Sequence, residues 1–287
     1  MIEVIATIGE VRKIVEGWKN ENLGVGLVPT MGYLHAGHES LIRKAVEEND
    51  RVIVSVFVNP TQFAPNEDFD RYPRDLENDK KVCERAGADL IFHPTAEEMY
   101  PADFSTYVNV TKVSEELCGA SRPGFFQGVA TVVTKLFNIT NADRAYFGQK
   151  DAQQLAVVRR FVRDLNMNVE IVACPIVREK DGLALSSRNA YLNAEERKAA
   201  LVLSAALAKG KELLANGERD ARKIESAMRR IIETEPLAKI DYVKIVDAKT
   251  IEPTADVKGT ILCALAVFIG KTRLIDNFFL ADAYKPE

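Results

Sequence analysis

Val28-Pro29-Thr30-Met31-Gly32-Tyr33-Leu34-His35-Ala36-Gly37-His38 is the stretch on which the reading of this chain turns. It begins where the apolar run Val25-Gly26-Leu27-Val28 ends. It leads into a segment with Leu41, Ile42, Ala45 and Val46 on one side. That order reads as strand, glycine-containing turn and helix. A turn feeding a helix N-terminus gathers backbone N–H groups without helical partners, which suits an anion such as phosphate. Two of the chain's three histidines, His35 and His38, stand in the same place. The expectation is a triphosphate site.

Working outward, residues 8–19 carry Ile8, Val11, Ile14, Val15 and Trp18 at helical spacing, with Thr7 and Glu10 as a capping pair. Residues 51–58 form a nearly continuous β-branched run, the pattern of a parallel strand buried on both faces. A helix is expected over 75–86 and a strand over 88–92. Thr106-Tyr107-Val108-Asn109-Val110 alternates and predicts a half-exposed strand at an edge or a subunit contact. A helix over 127–140, a strand over 144–148, a helix over 151–164 with Leu155, Val158, Phe161, Val162 and Leu165 on one face, and a strand over 169–173 complete an alternating βα pattern. Such alternation predicts a parallel α/β sheet.

The pattern changes after about residue 177. A capping box at Asn193 and Glu196 opens a long helix to about 215. A second helix covers 220–234, and strands follow near 240–246, 260–269 and 273–279. The expected organisation is therefore α/β, with an N-terminal nucleotide-binding domain over 1–176 and a smaller α+β lid domain over 177–287.

The 287 residues carry a net charge of −4 and a pI of about 5.7, which argues against a nucleic-acid-binding surface. No apolar run approaches the ~20 residues of a membrane span, and the N-terminus lacks a signal-peptide pattern. A cytoplasmic protein is expected. The four cysteines, Cys83, Cys118, Cys174 and Cys263, lack zinc-site spacing and read as small buried hydrophobes.

In an open parallel sheet, ligands bind beyond the carboxyl ends of the strands. Polar residues collect behind four predicted strands: the opening stretch, then Asn59, Thr61 and Gln62, then His93, then Gly148-Gln149-Lys150-Asp151. Lys150 suits a phosphate as a point charge, or is simply a solvated surface lysine. Asp151 and Gln154 fit a capping box, a role compatible with facing a ligand. Ser186-Ser187-Arg188 offers hydroxyls and a guanidinium to phosphate oxygens, or is only a polar turn. Asp79 follows the turn-prone Tyr72-Pro73-Arg74-Asp75 segment; it opens a solvated helix, or helps to hold Mg²⁺. His93 is read as ending its strand without a catalytic role.

These residues resemble the motifs of the pantoate–β-alanine ligases, the pantothenate synthetase family. The similar segments are 29–38, 58–63 (Val-Asn-Pro-Thr-Gln-Phe), 72–74, 121–124 (Ser-Arg-Pro-Gly), 147–155 and 181–189, in the family's order. The resemblance covers about residues 7 to 280. It implies a Rossmann-like sheet of the H-x-G-H nucleotidyltransferase type and a cytoplasmic homodimer using ATP and Mg²⁺ in pantothenate biosynthesis. It further implies a two-step reaction, pantoyl adenylate and pyrophosphate first, then displacement of AMP by β-alanine.

By this resemblance Pro29, Met31, Gly32, Tyr33, Leu34, His35, Ala36, Gly37, His38, Gly148, Gln149, Lys150, Asp151, Val177, Leu185, Ser186, Ser187 and Arg188 contact ATP. His38, His35 and Lys150 are the expected catalytic groups, with His38 matching the family's proton donor. Gln62 and Gln154 are expected to hold pantoate, and Asn59, Tyr72 and Arg122 to join the substrate site. One position departs from the family, which usually has His after Arg-Pro-Gly where this chain has Phe125. The rival readings are another H-x-G-H nucleotidyltransferase and a non-catalytic nucleotide-binding relative. The neutral Gln62 and Gln154 argue against the first. The retained histidines and lysine argue against the second.

Overall fold

The computed structural model describes residues 2–65 and 67–280. Among these, six strands form one sheet in the order β1 (Glu3–Ile5), β4 (Leu90–Phe92), β3 (Arg51–Val56), β2 (Val25–Thr30), β5 (Arg144–Gly148) and β6 (Glu170–Cys174). Every neighbouring pair is parallel. Val52, Ile53 and Val54 of β3 are fully buried, as a strand covered on both faces requires. The chain belongs to the expected Rossmann-like class.

Helices α1 (Ile8–Asn20), α2 (Ala36–Glu48), α3 (Leu76–Ala86) and α6 (Phe125–Thr140) follow the predicted spans closely. Thr7 caps α1 by accepting the Glu10 N–H at 3.3 Å. Asp75 caps α3, and Gly87 ends it in the left-handed region at φ 91°. One core packs Leu41, Ile42 and Ala45 of α2 against Val28, Val54 and Ile91 of the strands and Val82 and Cys83 of α3.

The structure differs from the sequence reading at several elements. β1 has only three residues, too few for a periodic signal. Residues 106–110 form no strand: the Val108 N–H donates to the Thr131 hydroxyl at 3.0 Å rather than to a strand partner, and Tyr107 is 52 % exposed. Short helices α4 (Ala96–Met99) and α5 (Cys118–Ser121) stand where the sequence reading assigned no helix. Helix α7 (Ala152–Asp164) ends before Leu165, which is exposed and leaves the apolar stripe.

Chain contacts divide the protein into two compact units. The first contains residues 1–110, 122–149 and 157–175. The second contains 111–121, 150–156 and 176–287. Two short stretches thus join the C-terminal unit from far upstream. In that unit β7 (Ala238–Asp247), β8 (Ile261–Ile269) and β9 (Thr272–Phe279) form an antiparallel meander. Helices α8 (Ala194–Ala199), α9 (Leu201–Ala215) and α10 (Ala221–Ile232) complete it. The expected long helix is interrupted at Ala200, although the Asn193–Glu196 capping box forms as read. Leu203, Leu207, Ile224 and Met228 meet Val243, Cys263, Leu265 and Val267 in its core. The last seven residues of the expected C-terminal domain lie outside the described residues.

The strand order places a switch point beside β2. The chain runs β2, β3, β4 to one side and returns through β5 on the other, and Gly26 and Leu27 pair with Arg144 and Ala145. Crevices beyond the carboxyl ends at such a point are where open α/β sheets take ligands. No helix among the described residues is long and apolar enough to cross a membrane.

Candidate active site

The stretch after β2 is held by its own side chains. His35 is the N-cap of α2: its Nδ1 accepts the Gly37 N–H at 3.1 Å and it takes the His38 N–H as well. In return His38 Nδ1 accepts the His35 N–H at 3.3 Å. Histidines thus make the reciprocal pair that Ser and Glu make in an ordinary capping box. The rings lie 4.1 Å apart between centroids. An Nδ1 that accepts a hydrogen bond carries no proton, so each neutral imidazole keeps its proton on Nε2. His93 is the opposite case. Its Nδ1 faces the Val56 carbonyl at 2.6 Å, and a carbonyl only accepts, so Nδ1 carries the proton there. With its N–H on Ile5 O at 2.8 Å, His93 ties strand ends together.

This corrects the backbone-donor picture. Gly32 N–H donates to Thr30 Oγ1 at 3.1 Å, and Tyr33 and Leu34 N–H donate to Asp79 at 3.0 and 2.6 Å. Together with His35, Gly37 and His38, most N–H groups of the turn already have partners. The side-chain donors, rather than an empty backbone nest, are what this turn presents. Leu34, expected to contact ATP, lies at the edge of the same turn. Its side chain is in the core, and its carbonyl accepts from Asn78 Nδ2 at 3.3 Å. Pro29 lies within β2, paired with Ser55, and Ala36 is the first residue of α2.

Asp79, expected beside Mg²⁺, is engaged with the backbone of the turn. It is 1 % exposed, and each carboxylate oxygen accepts a backbone N–H of the turn. Burial pushes its carboxyl above the usual value, against the lowering effect of those two bonds. Among the described residues no group of three or more His, Cys, Asp or Glu side chains is arranged to hold a metal.

Beyond β3 the short turn Pro60–Gln62 presents Gln62, whose Nε2 lies 2.9 Å from the Met31 sulfur. The structure therefore brings the β2 and β3 motifs together. Asn59, expected in the substrate site, is buried and hydrogen-bonded within the scaffold. Its amide donates to Gln62 Oε1 at 3.0 Å and Gly128 O at 3.2 Å. Its Oδ1 accepts from the Thr61 hydroxyl at 3.0 Å and the Tyr100 hydroxyl at 2.8 Å. Gly128 is required here, since a Cβ would collide with the Thr61 carbonyl.

Arg122, also expected at the substrate site, is likewise tied to its neighbours. It forms a bidentate pair with Glu67, both contacts at 2.6 Å, and donates to Gln62 O at 3.2 Å. Its guanidinium lies 3.7 Å from the centroid of the Phe125 ring. Phe125 thus offers its ring face to an arginine that braces Gln62. Tyr72 is buried, with its ring edge-on to Phe63 at 5.9 Å.

At the end of β5, Gln149–Asp151 form one 3₁₀ turn before α7. The Lys150 carbonyl accepts from Asn277 Nδ2 of β9 at 2.8 Å, while its ammonium makes no ion pair among the described residues. The expected Asp151–Gln154 capping box does not form, as the turn takes its place. Neighbouring Gln153 is the structural amide, accepting from Cys118 N at 2.9 Å and donating to Val113 O and Glu116 O. Gln154, half-buried, makes no such bonds among the described residues.

In the C-terminal unit the segment 177–188 starts as a narrow hairpin. Leu185 N–H donates to Val177 O at 3.0 Å, and Arg178 bridges Ala184. Arg178 is fixed by a bidentate pair with buried Asp276 at 2.6 and 2.8 Å. Ser186 caps the turn Ser187–Tyr191. Asp276 and Asn277 of β9 therefore hold the hairpin carrying Leu185–Arg188 and the Lys150 backbone, respectively. Sequence reading missed both, along with Glu67 and Asn78. Asp276-Asn277 stands between the apolar pairs Leu274-Ile275 and Phe278-Phe279, and that was the available signal.

The family model for pantoate-beta-alanine ligase matches residues 3–279. The pantothenate synthetase of Clostridium novyi (strain NT) is 63% identical over 271 residues, covering 94% of this chain and 96% of that protein. That of Enterococcus faecalis is 60% identical, covering 96% and 98%. The crystal structure of pantothenate synthetase from Thermus thermophilus matches at TM-score 0.91 and 47% identity, covering 96% of this chain and 99% of that one. The pantoate-beta-alanine ligase of Francisella tularensis, solved with beta-gamma ATP and beta-alanine, matches at TM-score 0.78 and 35% identity, with 97% of each chain covered.

Proposed function

This chain belongs to the pantoate–β-alanine ligase family, and on that premise we propose how its residues carry the reaction. The enzyme condenses pantoate with β-alanine at the expense of ATP. In the first step a pantoate carboxylate oxygen bonds to the α-phosphorus of ATP and the bond to the bridging oxygen breaks, releasing pyrophosphate. In the second the β-alanine amine bonds to the acyl carbon, the acyl–oxygen bond breaks and AMP leaves, while the nitrogen gives up its proton.

The first step needs little acid–base chemistry, because a carboxylate with pKa near ~4 is ionised at neutral pH. The barrier lies in bringing an anion to a triphosphate and in the charge that grows on pyrophosphate. Donors fixed in advance at that charge lower it. His35 and His38 supply Nε2–H donors whose tautomer is set by the capping pair, which is the observation that carries this reading. Lys150 adds a positive charge, and Ser186, Ser187 and Arg188 add donors from the C-terminal unit. Gln62 and Gln154 hold pantoate, with Met31, Asn59 and Arg122 fixing Gln62.

Mg²⁺, when bound, neutralises phosphate charge. It takes few protein ligands and keeps waters, so the triphosphate oxygens suit it better than Asp79, whose oxygens serve the backbone. In this reading the enzyme works as a cytoplasmic homodimer. Four buried free thiols suit a reducing compartment.

Incubation with ATP, Mg²⁺, pantoate and β-alanine should yield pantothenate, AMP and pyrophosphate. ADP as product, or equal pyrophosphate release with acceptors unrelated to pantoate, would sink the assignment.

A further inference from the structure

The two histidines are held in place by a turn with an unfavourable backbone. Gly32 has φ 81° and Tyr33 has φ 52°. A left-handed tyrosine is uncommon and persists only where its surroundings hold it. The restraint comes from the first turn of α3. Asp79 accepts the Tyr33 N–H on one oxygen and the Leu34 N–H on the other, and Asn78 donates to the Leu34 carbonyl. Three bonds thus grip the two residues before His35. The fit is close: a Cβ on Gly32 would stand 2.9 Å from Asp79 Oδ2 and from a Val56 methyl. Asp79 is fixed in turn by its own N–H on Asp75 O at 2.9 Å.

We propose that Asp79, assisted by Asn78, is a positioning residue for His35 and His38: it locks the left-handed Gly32-Tyr33 turn so that the histidine capping pair forms with both Nε2–H groups as donors. This deepens the proposed reaction and rests on its assignment of the histidines. It also separates Asp79 from metal binding. A carboxylate supplies two acceptors, while an asparagine supplies one acceptor and one donor. Asp79→Asn therefore loses one bond and sets an amide N–H against a backbone N–H.

The chain has only three histidines, so nitrogen-detected NMR of the imidazoles reads the effect without reference to turnover. In the parent enzyme two rings should show the Nε2–H form and one, His93, the Nδ1–H form. In Asp79→Asn, with native near-ultraviolet circular dichroism, the first two should become tautomer mixtures while His93 stays unchanged. Pyrophosphate release at saturating ATP, pantoate and Mg²⁺ should fall about tenfold or more. The Mg²⁺ concentration for half-maximal rate should not move. Asn78→Ala, which keeps the carboxylate, should shift the same two rings by less, and it serves as the test if Asp79→Asn does not fold. Unchanged tautomers in the folded variants overturn the proposal, as does a large rise in the Mg²⁺ requirement with the rings unperturbed. If the histidines are not phosphate donors, His38→Ala leaves pyrophosphate release intact while the tautomer result still stands or falls by itself.

Discussion

The backbone N–H of His35 donates to Nδ1 of His38, and Nδ1 of His35 accepts the N–H of Gly37. One motif therefore caps a helix and sets the tautomer of two neutral rings. These roles can be separated. Asparagine is a good N-cap, so His35→Asn should retain stability while losing the Nε2–H donor. His35→Ala should lose both, with about 1 kcal/mol of stability. Thermal melts beside pyrophosphate-release rates check this; equal melting losses in both variants would contradict it.

Gln62 should govern pantoate more than ATP. Gln62→Ala is expected to raise the pantoate KM at least tenfold with a small change for ATP. Gly128→Ala should have the same sign, because the new Cβ collides with the Thr61 carbonyl and displaces the Pro60–Gln62 turn. Steady-state kinetics in both substrates decide. Equal effects on the two KM values would point to general damage instead.

Phe125 gives Arg122 a ring face at 3.7 Å. Phe125→Leu should cost about 0.5–2 kcal/mol of stability, the range of a partly buried cation–π contact, and weaken pantoate binding through Gln62 O. Glu67→Gln should weaken pantoate as well, by loosening the same arginine. Pantoate titrations by calorimetry measure this, and a Phe125→Leu protein with unchanged pantoate affinity would remove the brace from the account.

Glu39 predicts an acid limb. The hydrogen bond from Arg85, then that from Arg43, lowers its carboxyl from the usual 4.5 to about 2. A carboxyl lowered on folding adds stability that is present in full above the unfolded pKa and lost as pH falls through the folded one. The window is about pH 4.5 down to 2. The wild type should lose more melting temperature across it than Glu39→Gln, because only the wild type ties α2 to Arg85 through a charge. Parallel curves would count against the pairing.

The alternating βα order was legible because buried parallel strands are written as β-branched runs and amphipathic helices at their own period. β2, β3, β5 and β6 and the main helices fall within a few residues of their predicted spans. Residues 106–110 show the limit. Their alternation fits a strand, yet a strand exists only where another backbone pairs with it, and Val108 is bonded to Thr131 instead.

The site divides along the same line. The sequence alone determined the family, the βα alternation, the antiparallel C-terminal strands and the residues that gather behind the carboxyl ends of the strands. Those features are local patterns or motifs, carried by neighbours along the chain. Tertiary structure decided which polar residues are tied into the scaffold. Asn59, Arg122 and Asp79 read as substrate or metal groups because their chemistry permits it. They serve as braces because Gly128, Glu67 and the Tyr33-Leu34 backbone, remote in sequence, take up their hydrogen bonds first. A polar side chain's role is set by the partners folding places around it, and those contacts are not written in its own neighbourhood of the chain.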